Sequence, residues 1–360
     1  MTRTYRGRFF EDFSLGVTIP HGPPRTVTEG DCALYTALYG SRFALHSSTP
    51  AAQALGYQRA PLDDLLVFHI VFGQSVPDVS LNAVANLGYA DCRFLAPVYP
   101  GETLHAMSTV IGLKENSNRK TGVVYVRTEG FKEGGGRVLG YVRWVMVRKR
   151  DPEAPVAPPE VPTLQDQVAF ENLEVPEGVK VTAQNVDRLH GGSWEDYSPG
   201  DRIDHLDGMT IEEAEHQMAA RLYHNTARVH FNQHVEKEGR FGRRIVYGGH
   251  IISIARALSF NGLSGAFRIA AINGGAHTAP SFAGDTIYAW SEVLEKVELT
   301  DRNDVGALRL RTVATKDRVC EDFPYKDSEG RYDPAVVLDL DYSVLLPRRW
   351  WLAPLSRSSS

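Results

Sequence analysis

The feature that most limits what this 360-residue chain can fold into is an internal repeat. Phe10-Glu11-Asp12-Phe13-Ser14 with Gly16 returns as Trp194-Glu195-Asp196-Tyr197-Ser198 with Gly200, an offset of 184 residues (194 − 10). His46 returns as His230 at the same offset. Pro97 with Gly101-Glu102-Thr103 returns as Pro280 with Gly284-Asp285-Thr286, one residue short at 183. Gly122, Arg127, Thr128 and Lys132 then return as Gly306, Arg311, Thr312 and Lys316, again at 184. Chance does not hold one register over so many positions, so the chain is two copies of one domain.

The seam between the copies is also legible. Pro152, Pro155, Pro158, Pro159 and Pro162 crowd a stretch that begins at residue 151. Prolines at that density lack ladder donors and keep the chain extended, which predicts a linker laid over the surface. The expected organisation is an N-terminal unit at 1–150, a linker at 151–185, a C-terminal unit at 186–350 and a disordered tail at 351–360.

Each copy carries the same run of periodicities. A helical stretch is predicted at 28–39 and at 210–223, where Thr210 and Glu213 have capping-box spacing. A more apolar helix follows at 63–73 and at 248–260, with few polar positions, as expected for burial on most sides. Strand-like runs rich in β-branched and aromatic residues follow at 103–112, 122–131 and 138–148, then at 286–297, 307–315 and 336–346. The expected class is α+β, one buried helix with an antiparallel meander, twice over.

Composition excludes several functions. A net charge of −5 and a pI near 6.2 argue against nucleic-acid binding, and the basic run at 143–150 reads as the solvated end of a strand. Cys32, Cys92 and Cys320 are odd in number and widely spaced, which predicts neither a disulfide framework nor a metal site and fits a reducing cytoplasm. The N-terminus lacks the apolar core of a signal peptide, and no apolar run approaches the roughly 20 residues that cross a bilayer. We therefore expect a soluble cytoplasmic protein with no membrane partner.

The stretch 223–258 holds the chemistry. Asn225 and His230 lie five residues apart, and eighteen residues after His230 an apolar helix opens on Gly248-Gly249. Adding water to an activated double bond needs a base beside the water and donors beside the oxygen that gains charge. His230 is the natural base, because a near-neutral imidazole can take and return a proton. Asn225 cannot act as a base; it either orients the water or caps the preceding helix. Gly248 and Gly249 either let an oxygen approach the free N–H groups at a helix start or let the helix pack tightly. In the first copy Asp64 stands where Gly248 does, and Ser41 where Asn225 does. A carboxylate there would repel a developing oxyanion, so the copy that keeps His46 is expected to shape the pocket without catalysing.

These residues resemble the signature of the MaoC-type, or (R)-specific, enoyl-CoA hydratases of the hot-dog fold. That signature has an acid, four residues, a His and a Gly within an IVHG helix start; here it reads Asn225, His230 and Gly248 within Ile245-Val246-Tyr247-Gly248. The spacing is kept and the acid is replaced by an amide. The likeness runs end to end to the branch of the family acting on mesaconyl-type thioesters.

The resemblance implies a double hot-dog, a CoA-thioester substrate, no other cofactor, a homo-oligomer, and catalysis by Asn225, His230 and Gly248. Leu65, Leu66, Phe68 and Val71 would line the acyl pocket. The expected reaction is reversible hydration of a short branched dicarboxylic enoyl-CoA. Its second carboxylate calls for a guanidinium, with Arg228, Arg243 and Arg244 as candidates and Gly249 beside the thioester. Glu213 or Glu215 would supply a carboxylate if the amide needs one. The alternatives are a general (R)-specific 2-enoyl-CoA hydratase and a non-catalytic acyl-CoA-binding protein; a hot-dog thioesterase would leave the hydratase spacing without a purpose.

Overall fold

The computed structural model describes residues 4–189 and 191–349, so the expected tail at 351–360 lies outside them. In the first unit, strand β1 (Thr18–Thr26) leads into α1 (Glu29–Tyr39). Thr28 caps α1 by accepting from the Asp31 N–H, the Asp31 carboxylate accepts from the Thr28 N–H, and Gly40 closes the helix at φ 60°. Two short helices follow, α2 (Ala44–Ser47) and α3 (Thr49–Ala54), then α4 (Asp64–Ser75), every residue of which is buried. Strands β2 (Ala83–Phe94), β3 (Thr103–Glu115), β4 (Thr121–Lys132) and β5 (Arg137–Arg148) complete the unit, side by side in the order β1-β3-β4-β5-β2.

The second unit repeats this plan. Its edge is two short strands, β6 (Arg202–Asp204) and β7 (Met209–Thr210), both paired with β9. Helices α5 (Glu213–Leu222), α6 (Arg228–Phe231), α7 (Gln233–Glu236) and α8 (Gly248–Leu258) precede β8 (Arg268–Ala276), β9 (Thr286–Glu298), β10 (Val305–Lys316) and β11 (Val336–Pro347). β2 pairs with β8, Ala90 opposite Gly274 and Cys92 opposite Ile272, which joins both units into one antiparallel sheet of eleven strands. Helix α4 packs on β1, β3, β4 and β5, and α8 on β9, β10 and β11. This is the double hot-dog expected from the sequence.

Period-2 burial explains the meanders: β3 alternates half-buried and buried positions along most of its length, as a strand with one face on a helix should. The same alternation corrects the reading of residues 143–150. Tyr141, Arg143, Val145 and Val147 share the inner face of β5, and Arg143 is 0% exposed; only Arg148 and Arg150 reach solvent as expected. The helix predicted at 210–223 begins at Glu213, with Glu212 at its N-cap and no side-chain cap. Thr210 belongs to β7, where its hydroxyl meets that of Thr286 at 2.9 Å, so the capping-box spacing is coincidental.

The expected linker, 151–185, is not surface chain throughout. Glu160 bridges Leu113 on β3 through a pair of backbone hydrogen bonds, in extended chain. From Val168 onward the chain buries Val168, Val179, Val181 and Leu189 against Leu45 and Leu55 of the first unit and Phe267 and Leu345 of the second. That second core fastens the two units together.

Candidate active site

Helix α5 ends in a Schellman turn: the Asn225 N–H donates to Ala220 O at 2.9 Å and the His224 N–H to Arg221 O at 3.1 Å, with His224 at φ 55°. Backbone alone therefore stops the helix, and the Asn225 side chain has another task. Its Oδ1 accepts from the Ala227 N–H at 3.1 Å, at the entry to α6. That bond fixes which end of the amide is oxygen and leaves the Nδ2–H groups as what buried Asn225 offers the site. Backbone crowding holds the segment, since a Cβ on Gly73 of α4 would fall 1.7 Å from Tyr223 O.

His230 lies on α6, buried, with its carbonyl accepting from Gln217 Nε2 at 2.9 Å. Its Nδ1 is 2.9 Å from Ile245 O, and a carbonyl only accepts, so Nδ1 carries the proton and Nε2 presents a lone pair. Burial draws its pKa down to about 4, so the ring is neutral near pH 7. The two motif halves are thus tied together, because Ile245 begins the strap that leads into α8.

At the start of α8 no side chain caps the helix and no acid occupies its first turn. The positive end of the helix dipole and its first N–H groups are left for a ligand. Cβ atoms on Gly248 and Gly249 would come within 2.5 Å of His277 and of His69, so both glycines are also required for packing. Packing alone would therefore keep both positions glycine.

Sequence reasoning missed three histidines around this helix start. His216 of α5 accepts from the Tyr247 N–H at 2.9 Å through Nε2, and its ring stands edge-on to those of His230 and His250 at 5.9 and 5.6 Å. Burial, followed by the charges of neighbouring His250 and His230, brings its pKa to about 2. His277, just past β8, lies against Gly248 with its Nε2 buried and unpartnered. His250 bonds Tyr39 at 2.8 Å. None of these lies at a spacing that marks it in the sequence.

The first unit shows the same place filled by its own side chains. Asp63 caps α4 by accepting from the Leu65 N–H, and Asp64 accepts from the Ile269 N–H and lies 3.7 Å from His46 Nε2. Burial opposes ionisation of Asp64, but Arg268 and His46 hold its pKa below the usual carboxylate range. A void of only about 10 Å³ remains beside His46, Ser41 and Asp63, room for roughly one water.

The expected pocket residues Leu65, Leu66, Phe68 and Val71 are all buried on α4, with Phe68 against Tyr89 and Tyr141. Arg228 and Arg243 are exposed, Arg243 lying over the Phe282 ring, and Arg244 pairs with Glu213. Glu213 is therefore engaged away from His230, and Glu215 is half-buried on α5. A cleft of about 320 Å³ opens beside Asn225, lined among others by Gly73, Gln74, Arg221, His224 and Thr226. No helix among the described residues is long and apolar enough to cross a membrane.

The sequence matches the mesaconyl-CoA hydratase family over residues 1–323. It is 67% identical over 350 residues to the beta-methylmalyl-CoA dehydratase of Chloroflexus aurantiacus, covering 96% of this chain and 99% of that one. It is 56% identical over 348 residues to the mesaconyl-CoA hydratase of Cereibacter sphaeroides, covering 96% and 100%. The fold superposes on the crystal structure of a MaoC domain dehydratase from Chloroflexus aurantiacus at a TM-score of 0.94 and 65% identity, covering 97% and 100%. A double-hotdog protein of Mycobacterium tuberculosis, at 24% identity and TM-score 0.72, shares the fold. The chain belongs to the mesaconyl-CoA hydratase family and is built of two hot-dog units.

Proposed function

We propose that the chain reversibly hydrates a short, branched enoyl-CoA bearing a second carboxylate, interconverting mesaconyl-C1-CoA and β-methylmalyl-CoA. The observation that carries this reading is the pairing of an oriented, neutral His230 with the uncapped start of α8. The names of the two close relatives support the substrate.

In hydration, His230 Nε2 takes a proton from water as the water oxygen bonds to the β-carbon. The electron pair of the double bond shifts toward the thioester, whose oxygen is held by the N–H groups at Gly248 and Gly249. His230 Nε2 then returns that proton to the α-carbon, where the shifted electron pair forms the new C–H bond, so the imidazole ends neutral; dehydration retraces these steps. Asn225 Nδ2–H donates to the water oxygen, turning one of its hydrogens toward His230. The cleft beside Asn225 receives the thioester's pantetheine arm. The reaction needs no cofactor beyond the CoA group itself, and we assign it to the cytoplasm, in keeping with three free thiols.

Absorbance of the conjugated enoyl thioester tests this directly. Purified protein should make the mesaconyl-C1-CoA signal decay to an equilibrium mixture with β-methylmalyl-CoA. Tight binding without decay would establish the acyl-CoA-binding alternative, and decay confined to crotonyl-CoA the general hydratase.

A further inference from the structure

Arg143, on the inner face of β5, is a wholly buried cation with no carboxylate bonded to it among the described residues. Its guanidinium meets only hydroxyls, Ser75 Oγ at 2.8 Å and Ser80 Oγ at 3.5 Å, and lies 4.3 Å over the Phe72 ring. Its Nε has no partner, and neither has the Tyr141 hydroxyl. The ionisable side chains acting on it are the phenols of Tyr141, Tyr89 and Tyr247. Asp78, the acid nearest in chain to Ser75 and Ser80, is already engaged by His21 and Arg8.

The other two buried arginines are treated differently. Carboxylates act on both electrostatically, Asp64 on Arg268 and Asp63 and Asp64 on Arg256, although none forms a direct ion pair with either among the described residues. Arg256 occupies the place in α8 that Phe72 has in α4 (256 − 184), and Tyr342 the place in β11 that Arg143 has in β5 (342 − 199, the offset between these strands). The two units therefore place a guanidinium and an aromatic residue at equivalent positions with the partners exchanged, and of the three buried arginines among the described residues only Arg143 has no carboxylate acting on it.

Taking a guanidinium out of water without a counterion is costly, so a fold that keeps one buried and partly unbonded implies an anion from elsewhere. The location shows which anion. Tyr247, at the start of α8, packs against His230 on one side and Phe72 on the other, with ring centroids 5.6 Å apart in each case. Arg143 lies on that Phe72 ring, which stacks on Tyr141, and Phe68, a residue expected to line the acyl chain, packs on Tyr141 and Tyr89. We propose that Arg143 receives the free carboxylate of the substrate's acyl group, with the Tyr141 hydroxyl as a second donor. This deepens the substrate assignment above and rests on it. A neutral acyl group would leave the cation unpaired, which discriminates against it.

The test compares kcat/KM for mesaconyl-C1-CoA and crotonyl-CoA in the wild type, Arg143→Met and Arg143→Lys, with melting temperatures of the free proteins. Arg143→Met should lose on the order of 10²-fold with the carboxylate-bearing substrate, far less with crotonyl-CoA, and melt no earlier, because a buried unpaired cation gives way to an apolar chain of similar volume. Arg143→Lys should fall between. If the wild type does not turn over mesaconyl-C1-CoA, the substrate assignment itself falls. If the wild type does, and Arg143→Met loses equally on both substrates or fails to fold, Arg143 is a structural residue and this inference alone is overturned.

Discussion

The hydroxyls of Tyr39 and Tyr223 meet at 2.7 Å, and these tyrosines occupy the same place in the two units, 184 residues apart. His69 Nε2 and Ser253 Oγ, also 184 apart, meet at 2.9 Å. Equivalent positions touch each other only at an axis of near-twofold symmetry, so the polar seam marks the axis relating the units. His250 joins the seam at Tyr39, and Tyr35 joins it at Ser253 at 3.0 Å.

Because these polar groups are satisfied only across the seam, neither unit is complete alone. Tyr39→Phe strands the Tyr223 hydroxyl and the His250 ring and should cost about 1–3 kcal/mol in denaturant unfolding. The Tyr39→Phe/Tyr223→Phe double variant should cost less than the two single changes together, since removing both ends of a buried pair leaves less unsatisfied.

His230→Ala should lower turnover by roughly 10²- to 10⁴-fold, the usual loss for a general base. His46→Ala should leave turnover near that of the wild type, since Asp64 already fills the helix start His46 faces. Equal losses in steady-state assays would mean the assignment of the second unit as catalytic is wrong.

The pH dependence follows from the buried imidazoles. His230 acts as a base only when neutral, so kcat/KM should hold as pH falls from 7 and drop near pH 4 instead of near 6.5. Stability fails sooner. His69, His216, His230 and His250 have folded pKa values of about 3, 2, 4 and 3, below the 6.5 of an unfolded chain. Below pH 6.5 the unfolded state binds protons the native state refuses, so their contribution is complete above 6.5 and drains away as pH falls toward those values. Melting temperatures across pH 7 to 4 should decline steadily; a flat profile would show that these rings are not held neutral.

Much of this was readable in the chain. The repeat gave the two units, and β9 (Thr286–Glu298), β10 and β11 lie within two residues of their expected limits because apolar and β-branched residues run through strands that are largely buried. Strands β1, β2 and β8 were not predicted: β1 is an edge strand broken by Gly22-Pro23-Pro24, and β2 and β8 carry the glycines of the joining seam. Spacing singled out Asn225, His230 and Gly248, and the structure ties His230 to the strap before Gly248 through Ile245 O. Arg143 was misread although its parity with Tyr141 and Val145 points it inward, because charge suggested solvent more strongly than alternation suggested burial. His216 and His277 act through tertiary contact alone, which leaves no local pattern.

Gly248→Ala puts a Cβ within 2.5 Å of the His277 ring, which must then move away from the helix start. The change should lower kcat more than it raises KM, because the helix N–H groups matter most when charge develops on the thioester oxygen. Matching changes in both, with the melting temperature unaltered, would reduce Gly248 to a packing residue.

Asn225→Asp is the most discriminating change, because it replaces only the amide nitrogen of a side chain whose one oxygen is already committed. One carboxylate oxygen should keep the bond to the Ala227 N–H, so the turn into α6 should survive. The other replaces an N–H donor by an acceptor. Water can then donate one hydrogen to the carboxylate and one to His230 Nε2, so hydration should persist, with a second acidic limb in the pH profile as the new acid protonates. Asn225→Ala should slow the reaction while leaving a single His-like limb. The added charge separates substrates. Within about 6 Å, two carboxylates shielded from solvent still repel appreciably, and mesaconyl-C1-CoA carries its carboxylate on the carbon that receives water. Asn225→Asp should therefore lower kcat/KM for mesaconyl-C1-CoA relative to crotonyl-CoA, moving preference the same way as Arg143→Met from the opposite side of the acyl group. An unchanged ratio would mean that avoiding charge is not why an amide stands at 225, and its role would reduce to orienting the water.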